Sequence, residues 1–102
     1  MEINANCKNE VLYIALVGEI DEHNATEARR KADKLADDFA RSKSAVFDLQ
    51  GVSFMDSTAI GFLIGRYKKF NRYGVRTYLT NPSQSADKIL SMSGVYNLMP
   101  RI

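Results

Sequence analysis

The sequence predicts a single α/β domain spanning residues 1–102. Its sheet is mixed and mostly parallel, of four to five strands, with helices packed mainly on one face. The element order is β-β-α-β-α-β-α-β. Three observations lead there. Short apolar runs rich in β-formers alternate with longer amphipathic stretches at helical spacing, the pattern of parallel strands joined by right-handed helical crossovers. The first two strand-like runs are separated only by the polar turn Lys8-Asn9-Glu10, which makes them an antiparallel hairpin. Finally, 102 residues, 45% of them hydrophobic and 25% charged, suffice for one core but not two.

Ile3, Ala5 and Cys7 alternate with polar neighbours, as in an edge strand with one buried face. Val11 to Val17 is nearly continuously apolar and reads as a strand buried on both faces, ended by Gly18. Asn24 is placed to cap a helix, with Glu27 three residues on to complete a capping box. Ala28, Ala32, Leu35, Ala36 and Phe39 then line the helix's inner face. Ala45 to Leu49 is a second buried strand, interrupted by Asp48, and Gly51 to Met55 carries the chain over the sheet edge.

From Ser57 to Asn71 a helix is apolar almost all round, so it is largely buried. Gly61 and Gly65, four apart, would let it approach a neighbour closely. Gly74 suits the position just past its end. Val75 to Thr80 is the next strand. Asn81 as cap, Pro82 at the first helical position and Gln84 at the third start another helix, with Ile89, Leu90 and Met92 inward and Gly94 ending it. Val95 to Met99 reads as one more short strand.

In such a fold every strand-to-helix loop lies at the carboxyl edge of the sheet, where open α/β sheets bind their ligands. Gly18–His23, Gln50–Asp56 and Thr80–Asn81 should therefore share one rim. A net charge of +2 is too small to imply nucleic acid. The lone Cys7 allows no internal disulfide and fits a reducing compartment. Neither a signal peptide nor a run long enough to span a bilayer is visible, so a cytoplasmic location is expected.

Asp21, His23 and Ser57 on one rim raise the question of a hydrolase. The Gly-x-Ser-x-Gly elbow is absent, and a sheet this small leaves little room for a substrate pocket. One Cys and one His cannot build a zinc site, and no phosphate-cradling Gly-rich loop is present, so no cofactor is implied. A receiver-type phospho-aspartate domain is a remote alternative, disfavoured because Leu49 and Gln50 follow Asp48 and hold it inside its strand. The cations Arg66, Lys68, Lys69, Arg72 and Arg76 interleave with Tyr67, Phe70 and Tyr73. Packing aromatics and cations complementing a helix C-terminus explain them better than a nucleic-acid surface. Ser57 itself suits a helix cap, which leaves its hydroxyl within reach of a modifying enzyme.

The run Phe54-Met55-Asp56-Ser57-Thr58-Ala59-Ile60-Gly61, followed by Leu63, Gly65, Arg66, Tyr67 and Lys68, resembles the STAS domain of bacterial anti-sigma factor antagonists. Gly18-Glu19-Ile20-Asp21, Pro82 and Met92-Ser93-Gly94 match the same family, and the likeness runs from Ile3 to Met99. The resemblance implies a binding module, not an enzyme. In its unmodified form it would bind an anti-sigma factor that is also an ATP-binding serine kinase, freeing a sigma factor. Phosphorylation at Ser57 would switch that binding off, and a metal-dependent serine phosphatase would restore it. Sporulation control is the expected branch, with a general-stress antagonist or an unphosphorylated scaffold as alternatives. No nucleic acid or membrane is bound directly.

The expected partner surface comprises Asp21, His23, Asp56, Ser57, Thr58, Asn81 and Ser83. Asp21 is either a partner contact or a solvated loop carboxylate. Asp56 either orients Ser57 or caps the helix itself, and the neighbouring Thr58 is an alternative acceptor. Ala59 stands where the family commonly has glycine; alanine avoids positive φ, so this position should already be helical. Relatives usually carry a further helix beyond the point where this sequence stops, so either this member is short or the chain is a truncated one, and part of the sheet or helix layer is expected to be uncovered.

Overall fold

The computed structural model describes residues 1–102. Its elements are β1 (Glu2–Lys8), β2 (Val11–Ile20), α1 (Ala25–Asp38), β3 (Ser44–Met55), α2 (Ser57–Arg72), β4 (Arg76–Thr80) and α3 (Gln84–Ser93), followed by a short 3-10 turn, Val95–Asn97. The four strands lie in the order β1-β2-β3-β4. β1 is antiparallel to β2, while β2–β3 and β3–β4 are parallel. The expected fold class therefore stands.

The eighth element differs from the expectation: Val95–Asn97 is a 3-10 turn and not a strand. Strand-like pairing comes later. The Leu79 N–H donates to the Pro100 carbonyl at 3.0 Å, and the Ile102 N–H to the Leu79 carbonyl at 2.9 Å. Gly94, at φ +83, reverses the chain after α3, and Val95 and Met99 drop into the core as the turn closes. An apolar pair four apart suits such a turn as well as it suits a strand.

The hairpin turn places both Asn9 (φ +53) and Glu10 (φ +68) in the left-handed region, the backbone pattern that matches strand twist in two-residue hairpins. Leu12, Ile14 and Leu16 of β2 are fully buried, but Tyr13 is 45% exposed. So β2 is not buried on both faces. α1, α2 and α3 all feed one cluster of 22 buried residues on one side of the sheet, and the other side is open. On that open side Val46 is only 4% exposed, because the strand register seats it between Tyr13 and Tyr78.

Gly18 does not end β2. At φ +110 it lies beside a register shift between β2 and β3, and the strand continues to Ile20. Opposite, a Cβ on Gly51 would stand 3.0 Å from Val17 Cγ2 and 3.1 Å from the Leu16 carbonyl oxygen, so the crowded crossing needs glycine. With these irregularities accommodated, β3 stays paired with β2 and runs to Met55 instead of stopping at Leu49.

Ala28, Ala32 and Ala36 of α1 are buried, and their small side chains let the helix lie close on its neighbours. Phe47 of β3 meets Phe70 of α2 edge-on, with centroids 5.9 Å apart. Gly61 and Gly65 do not serve close approach, since a Cβ on either would meet nothing within 4 Å. Met92 points outward at 80% exposure, and Ala86 and Leu90 are the buried side of α3.

The basic cluster dissolves into separate contacts. Arg66 is 5% exposed, with Nε 2.8 Å from Asp33 Oδ1 and its guanidinium over the Phe62 ring. The N–H is poorly aimed, so this is an ion pair without a well-directed hydrogen bond. Burial pulls the Arg66 pKa down, and Asp33 pulls it back up. Lys69 pairs with Asp37 at 3.1 Å, and the Tyr73 hydroxyl donates to the same carboxylate. No helix is long and apolar enough to cross a membrane.

Candidate functional site

The parallel pairing of β2 with β3 sets the site. Ile20 lies beside Met55, so Asp21 and Asp56 leave adjacent strands at the same edge. Asp56 is the N-cap of α2: its backbone is extended, and its Oδ1 accepts the Thr58 N–H at 2.8 Å. Ser57 is thus the first residue of the helix and not its cap. It is exposed, and its hydroxyl makes no hydrogen bond within the chain. Thr58 is half-buried, and Ala59 is fully buried and helical, which accounts for a residue other than glycine there.

Asp56→Ala is expected to cost about 1 kcal/mol of unfolding free energy through the lost cap, whereas Asn, an equally good cap, should cost little. Urea denaturation of the two variants checks this. Equal losses would mean that the carboxylate charge, and not the cap bond, stabilises the helix start.

The loop after β2 is organised by two side chains. Asp21 Oδ1 accepts the backbone N–H groups of His23 (2.9 Å) and Asn24 (3.3 Å). Asn24 accepts the Asp21 N–H through Oδ1 and donates from Nδ2 to the Glu19 carbonyl at 2.7 Å. Asn24 therefore closes the loop and does not cap α1 with its side chain. Glu27 faces Arg30 and Lys31 at 3.8 Å, so no capping box forms. The His23 imidazole is exposed and hydrogen-bonded to nothing. Since Asp21 spends Oδ1 on backbone and the Ser57 hydroxyl has no partner, no serine–histidine–aspartate relay is assembled.

The third loop sits lower. β4 ends at Thr80, which pairs with Asp48, eight residues before Asp56 along β3. Asn81, at φ +56, donates from Nδ2 to Asp48 Oδ1 at 3.2 Å, and the Gln50 N–H reaches the same oxygen. Asn81 is therefore a tie between loop and strand. The cap of α3 is Ser83, whose Oγ accepts the Ala86 N–H at 3.1 Å, and Pro82 precedes the helix. Asp48 is inside β3, held by these two donors.

Because β3 overshoots β4, α3 runs beside its free end and leaves a groove of about 250 Å³ lined by Val52, Phe54, Met55, Ala86 and Ile89, with Ser53, Ser83 and Ser85 at the lip. Phe54 is 50% exposed. Sequence reasoning placed Phe54 in a motif but not on a surface. The only signal was a large aromatic two residues before a polar cap. No cluster of three or more His, Cys, Asp or Glu converges anywhere in the chain.

This arrangement has known counterparts. The profile of the STAS domain family matches residues 2–102. The chain belongs to the STAS domain family. It is 35% identical over 86 residues to the anti-sigma F factor antagonist of Lysinibacillus sphaericus, covering 84% of this chain and 73% of that one. It is 30% identical over 100 residues to the anti-sigma F factor antagonist of Paenibacillus polymyxa, covering 98% and 85%. The anti-sigma-B factor antagonist of Bacillus subtilis is 29% identical over 97% of this STAS chain and 90% of its own length.

Among solved structures, the unphosphorylated anti-sigma factor antagonist SpoIIAA matches with a TM-score of 0.77 at 26% identity, over 99% of this chain and 88% of that one. The phosphorylated form of the Bacillus cell fate determinant SpoIIAA matches at 0.70 and 27%, over 99% and 91%.

Proposed function

We propose that this STAS domain is an anti-sigma factor antagonist of the sporulation type, working in the cytoplasm and switched by phosphorylation at Ser57. Unmodified, it binds an anti-sigma factor that is also a serine kinase, and the sigma factor is released. The observation that carries this reading is an exposed Ser57 hydroxyl with no partner of its own, at the first residue of a helix, in a chain whose relatives bear the name antagonist. The two relatives at 30% and 35% identity both bear the sigma-F name, which favours that branch over general stress.

The chemistry of the switch follows from position. A kinase must bring the terminal phosphate of ATP to the Ser57 oxygen, so the docked rim faces a nucleotide's polyphosphate. After transfer, phosphoserine carries about −1.5 to −2 charges and meets the remaining diphosphate. Like charges brought together at an interface cost several kcal/mol, so the product is driven off. Within the chain itself the phosphate sits at the positive end of α2, which offsets repulsion from Asp56. Asp21, His23, Thr58, Asn81 and Ser83 complete the proposed partner surface, the last two in the segment between β4 and α3. A metal-dependent phosphatase, needing no residue of this chain as a catalyst, would reverse the modification.

Incubation with an anti-sigma F factor and ATP tests the proposal. Acid-stable phosphate should appear on one tryptic peptide, at Ser57, and should vanish in Ser57→Ala. Phosphate on Thr58 would move the acceptor by one residue, and an unmodified chain would overturn the reading.

A further inference from the structure

We infer that the groove between the end of β3 and the start of α3 is an anchor pocket for the partner: it takes one aliphatic side chain of the anti-sigma factor, presented on a segment rich in lysine and arginine. This rests on the antagonist reading and names the chemistry of the partner surface. Three observations carry it.

The first is the lining. Val52, Met55, Ala86 and Ile89 make an apolar floor, and Phe54 stands half-exposed at its mouth. Two of the three lip hydroxyls, those of Ser83 and Ser85, are already engaged with each other and with backbone, and Ser53 is left free. Ser83 Oγ accepts the Ala86 N–H, and Ser85 Oγ lies 3.3 Å from it. A polar guest would find few free partners, and an apolar one would cover exposed carbon. At about 250 Å³ the groove lies below the range of about 300–1,000 Å³ usual for small-molecule sites, which suits a single side chain.

The second is charge. No Lys or Arg occurs between Gly18 and Ala28, between Asp48 and Gly65, or between Thr80 and Asp87, the stretches that build this end of the molecule. Glu19, Asp21, Glu22 and Asp56 stand there unopposed by any ion pair. The chain's net +2 therefore hides an uneven distribution, with Lys68, Arg72 and Arg76 at the far end of α2 and β4. Glu19 pairs in register with Phe54, so the acidic edge borders the groove on its β2 side, while Lys88, next to the lining Ile89, borders it on the α3 side. An apolar pocket with a carboxylate edge on one side favours a basic, aliphatic-tipped segment. The third is continuity: the groove ends at Met55, two residues before Ser57, so a partner reaching the hydroxyl also covers the pocket.

The test is a titration of the isotope-labelled, unphosphorylated chain, followed by amide NMR, with the synthetic peptide acetyl-Arg-Lys-Leu-Lys-Arg-amide. Shifts are expected at residues 52–55 and 83–89. Replacing the central Leu with Gly should weaken binding about tenfold, the loss expected for one partly buried aliphatic side chain. Replacing the four cations with Glu should abolish it. Ser85→Lys, an exposed change that spares the core, should weaken the Leu peptide severalfold.

Equal binding of the Leu and Gly peptides would overturn the pocket, as would shifts centred on Tyr13 and Tyr78 of the open sheet face. Concentration-dependent shifts at the groove without peptide would overturn it too, by assigning it to a second copy of this chain. No kinase enters this experiment. If Ser57 is phosphorylated by an anti-sigma factor but the Leu peptide fails, the anchor falls and the switch stands. If the peptide binds and Ser57 is never modified, the reverse holds.

Discussion

Phosphorylating Ser57 is expected to lower the affinity of the chain for an anti-sigma factor by about a hundredfold or more, because a like-charge contact of several kcal/mol corresponds to that ratio at 1.4 kcal/mol per decade. Its thermal unfolding midpoint should hardly move. The separation of the two effects has a structural reason. The Ser57 side chain is exposed and its hydroxyl makes no hydrogen bond in the chain, so a phosphate there breaks no internal hydrogen bond. Asp56 keeps its bond to the Thr58 N–H, and the dipole of a 16-residue helix accepts a nearby anion. The penalty appears only when a partner covers the site and removes the water that solvates the dianion.

Calorimetric titration of the modified and unmodified chains with an anti-sigma F factor in ADP, beside thermal melts of each, measures both halves. Unchanged affinity would remove the switch and leave a scaffold. A large loss of thermal stability would mean the charge acts by disturbing the fold. Ser57→Asp should give the same sign with a smaller effect, since one carboxylate carries less charge than phosphoserine.

Phe47→Ala is expected to destabilise the domain by about 3–5 kcal/mol, the usual cost of truncating a buried aromatic. Phe47 is fully buried in β3, between β2 and β4, and its ring meets Phe70 edge-on. Nothing beside it is free to fill the space: its neighbours on the adjacent strands, Ile14 and Leu79, are themselves fully buried. For a domain of this size the melting temperature should fall by about 12 °C or more. The urea midpoint should drop with the slope unchanged, since the surface exposed on unfolding is nearly the same. A loss under about 1 kcal/mol would mean that the helix layer collapses into the vacated space.

Much of the fold is legible in the sequence because alternating runs of strand and helix formers admit few topologies. The helix starts were less legible. Asn24 and Asn81 each stand where a cap is expected, yet both tie loops together, and Ser83 caps α3. Short amide and carboxylate side chains serve caps and loop turns equally well, and only the path of the neighbouring strand selects between them. Arg66 reads as surface charge next to Lys68 and Lys69, but α1 packs over it and supplies Asp33.

By itself, then, the sequence determined the element order, the hairpin followed by parallel crossovers, and an Asp-Ser step opening the apolar helix at the sheet's rim. These follow from local periodicity and chain connectivity, which need no distant partner. The tertiary structure alone decided which sheet face stays open, how far β3 outruns β4, and hence that a groove opens beside Ser57. Each depends on strand register and on which helix lies over which strand, and those are set by contacts between residues far apart in the chain.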